Sequence, residues 1–422
     1  MHVLINWLEN SFAPKMNKVN NNVWVVTLKD SIMQTLPFIL LGSFFCCLTI
    51  PGEVFGWEWW PNFWSPFGWT MGLLSLFVSF LIPFNLMEKK RLRKQRIIAA
   101  LTGVVVFLII ITPQVIADET IGFGHDALGA GGMFIAIVAG IYAGFIMQLF
   151  GKFSFFKEDS VIPDFVRSWF DSMLPIGIAV SIAWVLVEIV GLDIYNLLLK
   201  VFMPIANVIQ TPWGFVISML IVVLLYSMGI SSWVLTPIYK PALLMAIMDN
   251  IKYVSEGVGT PDKLNLVTEP MIYSSYMWIG GIGCTLPLVI MLALSKSTKL
   301  KALGRASIAP AVFNINEPVV FGAVVWNPIM MIPFWLQGIA LPLVVWLLTK
   351  VIHFAPIPTI VFEMWYCPFP ISTWLTTQSV TGLILMLICA AVGTIIWYPF
   401  FKTYEKQEID AEQKAQASEY IV

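Results

Sequence analysis

Charged residues are scarce in this chain. Asp, Glu, Lys and Arg make up 12% of the 422 residues, whereas soluble domains carry about 25%. The formal net charge is −1, so the chain has no basic domain of the kind that binds nucleic acid. Because 58% of the residues are apolar and the mean hydropathy is +0.82, the charges are too few to cover a water-facing surface. The composition excludes a soluble enzyme, a disordered protein and a nucleic-acid-binding protein.

Residues that bind metals or react covalently are also few. The sequence has three His and five Cys without a CxxC pair, which argues against a zinc site or a disulfide framework. It contains no Walker motif, no HExxH and no GxSxG, and its Gly-rich turns do not complete GxGxxG. Gly280, Gly281 and Gly283 are instead expected to allow helices to approach closely. We therefore expect no metal, no cofactor and no ATP-driven pumping by this chain alone.

Long apolar runs are abundant, and a membrane span needs about 20 apolar residues. Nine runs meet this requirement: 31–51, 66–87, 97–117, 131–150, 172–192, 212–230, 276–295, 328–349 and 379–401. A tenth run, 232–249, is shorter and is interrupted by Pro237 and Pro241.

The positions of Lys and Arg predict the topology, because these residues concentrate in cytoplasmic loops. Basic clusters lie at 89–96, 152–167 and 296–305, and in a tail at 402–422. All of them lie on one side only if 232–249 also crosses. The sequence therefore predicts an all-α polytopic membrane protein with about ten transmembrane helices and both termini cytoplasmic.

The N-terminal segment 1–30 lacks the pattern of a signal peptide. Its apolar residues are spaced as one face of a helix and predict an interfacial segment, with a flexible polar lead-in as the alternative. These apolar residues are Val3, Leu4, Ile5, Trp7, Leu8 and Phe12.

Two apolar segments are too irregular to be simple spans. Segment 306–327 contains two Pro, three Asn and Glu317, and segment 354–378 contains four Pro, Glu363 and Trp365. Irregular backbone at membrane depth is tolerated only where protein or a water-filled cavity covers it. Both segments are therefore predicted to be re-entrant hairpins that line a transport site, with surface loops as the alternative.

The candidate site residues follow from these hairpins. Glu317, beside Asn316, is an ionisable group at membrane depth that can accept hydrogen bonds from sugar hydroxyls or act as a general base. The alternative for Glu317 is a structural carboxylate that caps backbone amides. Trp365 offers a flat apolar face on which a sugar ring can stack, although most Trp residues of membrane proteins are interfacial anchors.

Lys240 lies near the middle of the 232–249 segment, where a cation requires a partner. Glu317, Glu363 and Glu269 are the candidate partners. The alternative is that the Lys240 side chain extends to the membrane interface.

The sequence resembles the sugar-transporting enzyme IIC subunits of the bacterial phosphotransferase system, in the lactose/cellobiose/diacetylchitobiose group. The resemblance runs nearly end to end and is most specific at FNINEPVVFG (313–322). It extends to SIMQTLPFILLGSFF (31–45), LGAGGMFIAIVAGI (128–141) and YPFFKTYEKQ (398–407).

The resemblance implies a membrane scaffold over 31–230 and a mobile transport domain over 231–401. A disaccharide would bind between them and be phosphorylated at its 6-hydroxyl by a phosphocysteine of a separate cytoplasmic IIB protein, itself supplied by IIA. It also implies a homodimer in the bacterial plasma membrane, and a chain that is not catalytic alone. The family places Glu317 and Asn316 at the sugar, and the Trp of its second hairpin corresponds to Trp365.

The sequence departs from the family at one position. After the sixth span the family usually reads Gly-Ile-His-Gly, but here Gly229 and Ile230 are followed by Ser231 and Ser232. Serine cannot replace histidine as a general base near neutral pH. We hypothesise that Ser231 and Ser232 line the site and that Lys240 supplies positive charge to the phosphoryl group. A facilitator that releases unmodified sugar, or a sugar sensor, is the alternative function.

Overall fold

Helices dominate the computed structural model, which describes residues 15, 18, 21–57, 59–117, 120–156, 163–230 and 232–419. The predicted interfacial helix at Val3–Phe12 lies outside the described residues. The predicted all-α class is confirmed, and the described residues add one short antiparallel hairpin, β1 (Gln114–Ala117) with β2 (Thr120–Gly122).

In chain order, the α-helices of the first half are α1 (Val23–Gln34), α2 (Leu36–Phe55), α3 (Trp64–Thr70), α4 (Leu74–Lys89), α5 (Arg96–Ile110), α6 (His125–Leu128), α7 (Met133–Leu149), α8 (Asp164–Trp184) and α9 (Ile194–Ile209). Those of the second half are α10 (Pro212–Ser227), α11 (Thr236–Ser255), α12 (Leu286–Ala293), α13 (Thr298–Val312), α14 (Glu317–Val319), α15 (Pro328–Trp346), α16 (Ile371–Thr377) and α17 (Val380–Glu419). Short π-helical turns lie at Val185–Ile189, Met271–Ser275, Val320–Val324 and Leu347–Val351.

The chain forms two compact units. One contains Val19–Ala206 and Val234–Met245, and the other contains Asn207–Trp233 and the chain from Ala246 onwards. We call them the N-terminal unit and the C-terminal unit. The predicted scaffold over 31–230 and transport domain over 231–401 stay predictions, because compactness does not report which part moves.

Helices α4, α5 and α7 pack together in the core of the N-terminal unit. Leu86, Met87, Ala99 and Met147 are fully buried there. A polar contact joins α4 to α1: the amide of Asn85 donates to Ser31 Oγ at 2.9 Å and to Gln34 Oε1 at 3.1 Å. A buried amide thus has partners within the unit, as required where water is excluded.

Six described helical segments are long and apolar enough to span a membrane, which confirms a multi-pass helical protein but not the count of ten. They are Val23–Cys46, Trp64–Lys89, Ala130–Leu149, Val166–Ile189, Pro328–Val351 and Val380–Lys414. Helices α9 and α10 would add a seventh if counted as one span, although they meet at 88°. The first apolar helix begins at Val23, eight residues before the predicted start at 31.

Two predicted spans are wrong as continuous helices. Within 276–295 the helix covers only Leu286–Ala293, because Gly280, Gly281, Gly283 and Cys284 have φ between +51° and +105°. A right-handed helix cannot contain such residues. Within 97–117 the helix ends at Ile110 and the chain continues into the β-hairpin. Hydropathy detects neither interruption, since both segments remain apolar.

The start of α13 is held by carboxylates of α17. Glu412 accepts hydrogen bonds from Ser297 Oγ at 2.8 Å and from the backbone N–H of Lys299 at 2.9 Å. Two turns earlier in α17, the buried Glu405 accepts from Ser295 Oγ and from the backbone N–H of Lys296, both at 2.8 Å. These N–H groups belong to the first turn of α13 and the loop before it, where a helix provides no partners of its own. Carboxylates also interact favourably with the helix dipole at this end.

We expect Glu405→Ala to destabilise the C-terminal unit more than Glu408→Ala. Glu405 is buried and its carboxylate has three donors, Ser295 Oγ, the N–H of Lys296 and Lys402 Nζ, so its removal should cost about 2–3 kcal/mol. Glu408 forms a 2.9 Å ion pair with Lys299, whose side chain is 62% exposed. Such a pair contributes less than about 1 kcal/mol. The apparent melting temperatures of the two variants in detergent, compared with the parent, measure the difference. Equal losses would contradict this assignment.

Candidate functional site

The side chain of Asn314 joins three irregular segments of the C-terminal unit. Its Oδ1 accepts a hydrogen bond from the backbone N–H of Gly280 at 3.0 Å. Its Nδ2 donates to the backbone carbonyls of Trp365 at 2.7 Å and Cys367 at 2.9 Å. Asn314 is 8% exposed and has φ of 60°. The amide therefore connects the predicted first hairpin to the second hairpin and to the loop that contains Gly280.

Asn316 lies on the same turn but faces other partners. Its Nδ2 donates to the carbonyl of Ile282 at 2.7 Å, and its Oδ1 accepts from the hydroxyl of Tyr226 at 3.3 Å. The side chain packs directly on Gly281, where a Cβ would come within 2.5 Å of Asn316 Cγ. Gly281 has φ of +105° and allows close approach as predicted, although it lies in a loop and contacts a turn rather than a helix.

The chain reverses direction within 306–327. Helix α13 ends at Val312, a turn follows, and α14 begins at Glu317. Helix α13, which leads into this segment, starts beside Glu412 of α17, and the segment ends at Asn327, which lies beside Tyr404 of the same helix. Eight helical residues, or about 12 Å, separate those two positions along α17. The start of α13 and the end of the segment at Asn327 therefore both lie at the C-terminal part of α17, and the turn at Asn314 follows the far end of α13.

Segment 354–378 is irregular up to α16, and side chains satisfy several of its carbonyls. Tyr276 donates its hydroxyl to Pro356 O at 2.6 Å, and Asn250 donates to Pro358 O at 3.1 Å. Asn314 serves the carbonyls of Trp365 and Cys367 in the same way. The segment is therefore held by protein contacts, which is the condition for non-helical backbone at membrane depth.

Glu317 is exposed within the C-terminal unit and is the first residue of α14. In the part of the chain that the structure describes, its carboxylate accepts no backbone N–H, so the capping alternative gains no support. It lies close enough to the hydroxyl of Tyr226 to interact with it electrostatically. The carboxylate is thus available to a ligand.

Trp365 is half-buried, and its ring meets the ring of Tyr366 edge to face at a centroid distance of 5.6 Å. Glu363 is 1% exposed. The backbone of Trp365 is tied to the Asn314 turn, so the structure brings together the turn that precedes Glu317 and the segment that contains Trp365.

The remaining predicted residues lie elsewhere or cannot be placed. Ser231 lies outside the described residues, and Ser232 is the first residue of a 3-10 turn, Ser232–Leu235. Lys240 is 5% exposed and lies in the part of α11 that belongs to the N-terminal unit. Its pairing with Glu317, Glu363 or Glu269 stays a prediction.

Sequence reasoning missed the roles of Asn314 and Tyr226. The signal for Asn314 was its place in FNINEP, a polar residue two positions before Asn316 in an apolar hairpin. No sequence signal connects Tyr226 to this turn, because 90 residues separate it from Asn316.

A cavity of about 530 Å³ opens in the N-terminal unit and contains none of the predicted site residues. Its polar lining includes Thr112, Gln114, Asp126, Asp193 and Asn196. The backbone N–H and the side-chain amide of Asn196 donate to Asp193 and hold the pKa of that carboxyl below its usual value. The Asp193 carboxylate is thus already hydrogen-bonded to Asn196 in the first turn of α9.

The chain matches the family described as "Phosphotransferase system, EIIC" over residues 29–338. This match covers most of the chain. The chain belongs to that family. This phosphotransferase-system EIIC chain is therefore a multi-pass sugar permease component of the membrane.

Relatives of this EIIC chain match it almost from end to end. The cellobiose-specific EIIC component of Geobacillus stearothermophilus is 28% identical over 98% of this chain and 97% of its own length. The oligo-beta-mannoside-specific EIIC component of Bacillus subtilis is 28% identical over 96% of this chain and 95% of its own length. The lactose-specific EIICB component of Staphylococcus epidermidis is 25% identical over 98% of this chain and 72% of its own length.

A solved structure has the same fold. The crystal structure of ChbC, the IIC component of the N,N'-diacetylchitobiose-specific phosphotransferase system, superposes with a TM-score of 0.83 at 27% identity. The comparison covers 96% of this chain and 99% of ChbC.

We expect Gly281→Ala to destabilise this EIIC chain by roughly 1–3 kcal/mol, because it places a Cβ against Asn316 at a positive φ. Gly177→Ala is the matched control, since Gly177 lies inside α8 with no atom within 4 Å of its added Cβ. That substitution should be neutral or stabilise by up to about 1 kcal/mol. Thermal unfolding in detergent measures both variants, and an unchanged melting temperature for Gly281→Ala would contradict the packing described.

Proposed function

We propose that this chain moves a β-linked disaccharide of the cellobiose or diacetylchitobiose type across the bacterial plasma membrane and couples this transport to phosphorylation of the sugar by a IIB protein. The observation that carries the proposal is the junction at Asn314. It brings the NEP turn, with its available Glu317 carboxylate, against the segment that contains Trp365.

The sugar class is supported by the relatives. A cellobiose-specific and an oligo-beta-mannoside-specific EIIC component align over nearly their full length, and the similar solved structure is diacetylchitobiose-specific. These glycans share β-linkages between hexopyranose rings, which present flat C–H faces with hydroxyls at the edge. A carboxylate beside an indole fits such a ligand, since one accepts hydrogen bonds from hydroxyls and the other packs on the ring face.

Phosphorylation requires a phosphoryl donor on IIB and a base for the sugar hydroxyl. In the proposed step the 6-hydroxyl oxygen attacks the phosphorus of the IIB phosphocysteine. The new O–P bond forms as the S–P bond breaks, the thiolate remains on IIB, and the hydroxyl proton passes to the Glu317 carboxylate. Ser231, Ser232 and Lys240 are proposed to line the site, with Lys240 stabilising charge on the phosphoryl group.

Membrane orientation and assembly complete the proposal. The basic loops at 89–96 and 296–305 favour cytoplasmic termini. The C-terminal part of α17, with the start of α13 and Asn327 beside it, would then lie on the side of the membrane where IIB and IIA act. The homodimer implied by the family resemblance is part of the proposal.

Uptake of radiolabelled cellobiose and diacetylchitobiose tests this function. Cells that express the chain, with and without a working general phosphotransferase chain, are compared, and the internal label is separated by chromatography. We expect sugar phosphate inside the cells, and its loss when the phosphotransferase chain is disabled. Free sugar that accumulates regardless of that chain would show a facilitator instead, for which the absent histidine at Ser231 is the motivating feature. Saturable binding without uptake would favour a sensor.

We expect Glu317→Gln to abolish measurable sugar binding and Trp365→Ala to weaken it by roughly 1–3 kcal/mol, or about 5- to 150-fold. The matched controls are Glu256→Gln, at an exposed carboxylate, and Trp213→Ala, at an indole that is 72% exposed. Isothermal titration of the purified variants with cellobiose gives the dissociation constants. Normal binding by Glu317→Gln would remove Glu317 from the site, and an unchanged constant for Trp365→Ala would make Trp365 an interfacial anchor.

A further inference from the structure

We infer that Asn314 is a positioning residue that sets the separation between Glu317 and Trp365. The inference depends on the proposed function for its consequence in sugar binding. Its structural content, the coupling of two irregular segments, is independent of that function.

The reach of the chain makes the coupling tight. Glu317 follows Asn314 by three residues, and three residues span at most about 11 Å. On the other side, Asn314 Nδ2 lies 2.7 Å from the carbonyl oxygen of Trp365 itself. A displacement of the turn relative to the second segment therefore changes the Glu317–Trp365 separation directly.

The chemistry of this position favours asparagine over its nearest relatives. A φ of 60° is strained for most side chains but is adopted by Gly, Asn and Asp. Glycine has no side chain to reach the carbonyls. Aspartate keeps an acceptor for the N–H of Gly280 but turns two donors into an acceptor that faces the carbonyls of Trp365 and Cys367. Of these three residues, only asparagine both adopts this backbone conformation and hydrogen-bonds all three partners.

The position also bears on the loop at Gly280. The acceptor of the amide binds the Gly280 N–H, while Asn316 binds the carbonyl of Ile282 two residues further on. The two asparagines of the NIN sequence thus hold one loop from the same turn, but the described contact with the second segment is made by Asn314. Asn316 is therefore the matched control for Asn314, because it holds the same loop without the described contact to the second segment.

The test measures the coupling without sugar. Nitroxide labels are placed at Ile315→Cys and Tyr366→Cys, both exposed positions next to the contact, in a chain whose five native cysteines are replaced by Ser or Ala. Asn314→Asp and Asn314→Gly are each introduced into this labelled chain. We expect strong dipolar broadening of the EPR spectrum in the Asn314 chain and clearly weaker broadening in both variants.

Sugar affinity is measured on the same substitutions in the unlabelled protein. Loss of the two hydrogen bonds to the carbonyls of Trp365 and Cys367 should raise the dissociation constant for cellobiose about tenfold or more. Asn316→Asp is the control for the spectroscopic measurement: it makes the same chemical change two residues away and should leave the 315–366 broadening intact. Size-exclusion chromatography establishes that each variant is folded.

The outcomes separate this inference from the proposed function. Unchanged dipolar broadening in folded Asn314→Asp and Asn314→Gly would overturn the inference. Weaker broadening in Asn316→Asp as in Asn314→Asp would also overturn it, since the effect would then belong to the whole turn. Weaker broadening confined to the Asn314 variants supports the coupling, even if Glu317→Gln and Trp365→Ala bind sugar normally. Normal binding by those two variants would refute the proposed site alone.

Discussion

Non-helical backbone inside a membrane protein must find hydrogen-bond partners within the protein, and in the C-terminal unit one side-chain amide provides three of them. Asn314 accepts from Gly280 N–H and donates to the carbonyls of Trp365 and Cys367. An unsatisfied polar group in such surroundings costs several kcal/mol. The geometry of the candidate site is therefore a consequence of hydrogen-bond satisfaction. The turn before Glu317 provides the amide donor, and the segment of Trp365 provides the backbone carbonyls that accept from it.

The same constraint explains why the irregular segments of this unit are surrounded by Asn, Tyr and Thr. Asn250 and Tyr276 bind the carbonyls of Pro358 and Pro356, and Thr373 Oγ1 donates to Ser275 O at 2.9 Å. Proline lacks an N–H, so a proline-rich segment presents more acceptors than donors. Side chains that donate hydrogen bonds to these backbone carbonyls make up for the missing N–H groups. The polar residues near the hairpins therefore stabilise the irregular backbone, whether or not they also contact a ligand.

Hydropathy predicted the helices that are continuous and failed where the backbone is interrupted. The predicted spans 66–87 and 328–349 correspond to Trp64–Lys89 and Pro328–Val351. The predicted span 276–295 fails because the Gly-Gly-Ile-Gly-Cys sequence adopts positive φ while remaining apolar, and hydropathy does not register backbone conformation. Likewise, the position of Glu317 and Trp365 in two hairpins was predicted from Pro, Asn and Glu in apolar segments. The partners of Asn314 were not, because contacts over 34 to 53 residues depend on tertiary structure.

The first hairpin is held at both ends, and this limits how Glu317 can move. At the start of α13, the helix that leads into the hairpin, Glu405 and Glu412 of α17 bind the backbone at Lys296 and Lys299. At its turn, Asn314 binds the second segment, which leads through α16 directly into α17. The hairpin, the second segment and α17 thus form a closed set of contacts. A motion of Glu317 alone would break charge-assisted hydrogen bonds at one end or buried amide bonds at the other. A motion of the whole set breaks neither, so these contacts favour movement of the hairpin, the second segment and α17 together rather than movement of Glu317 alone.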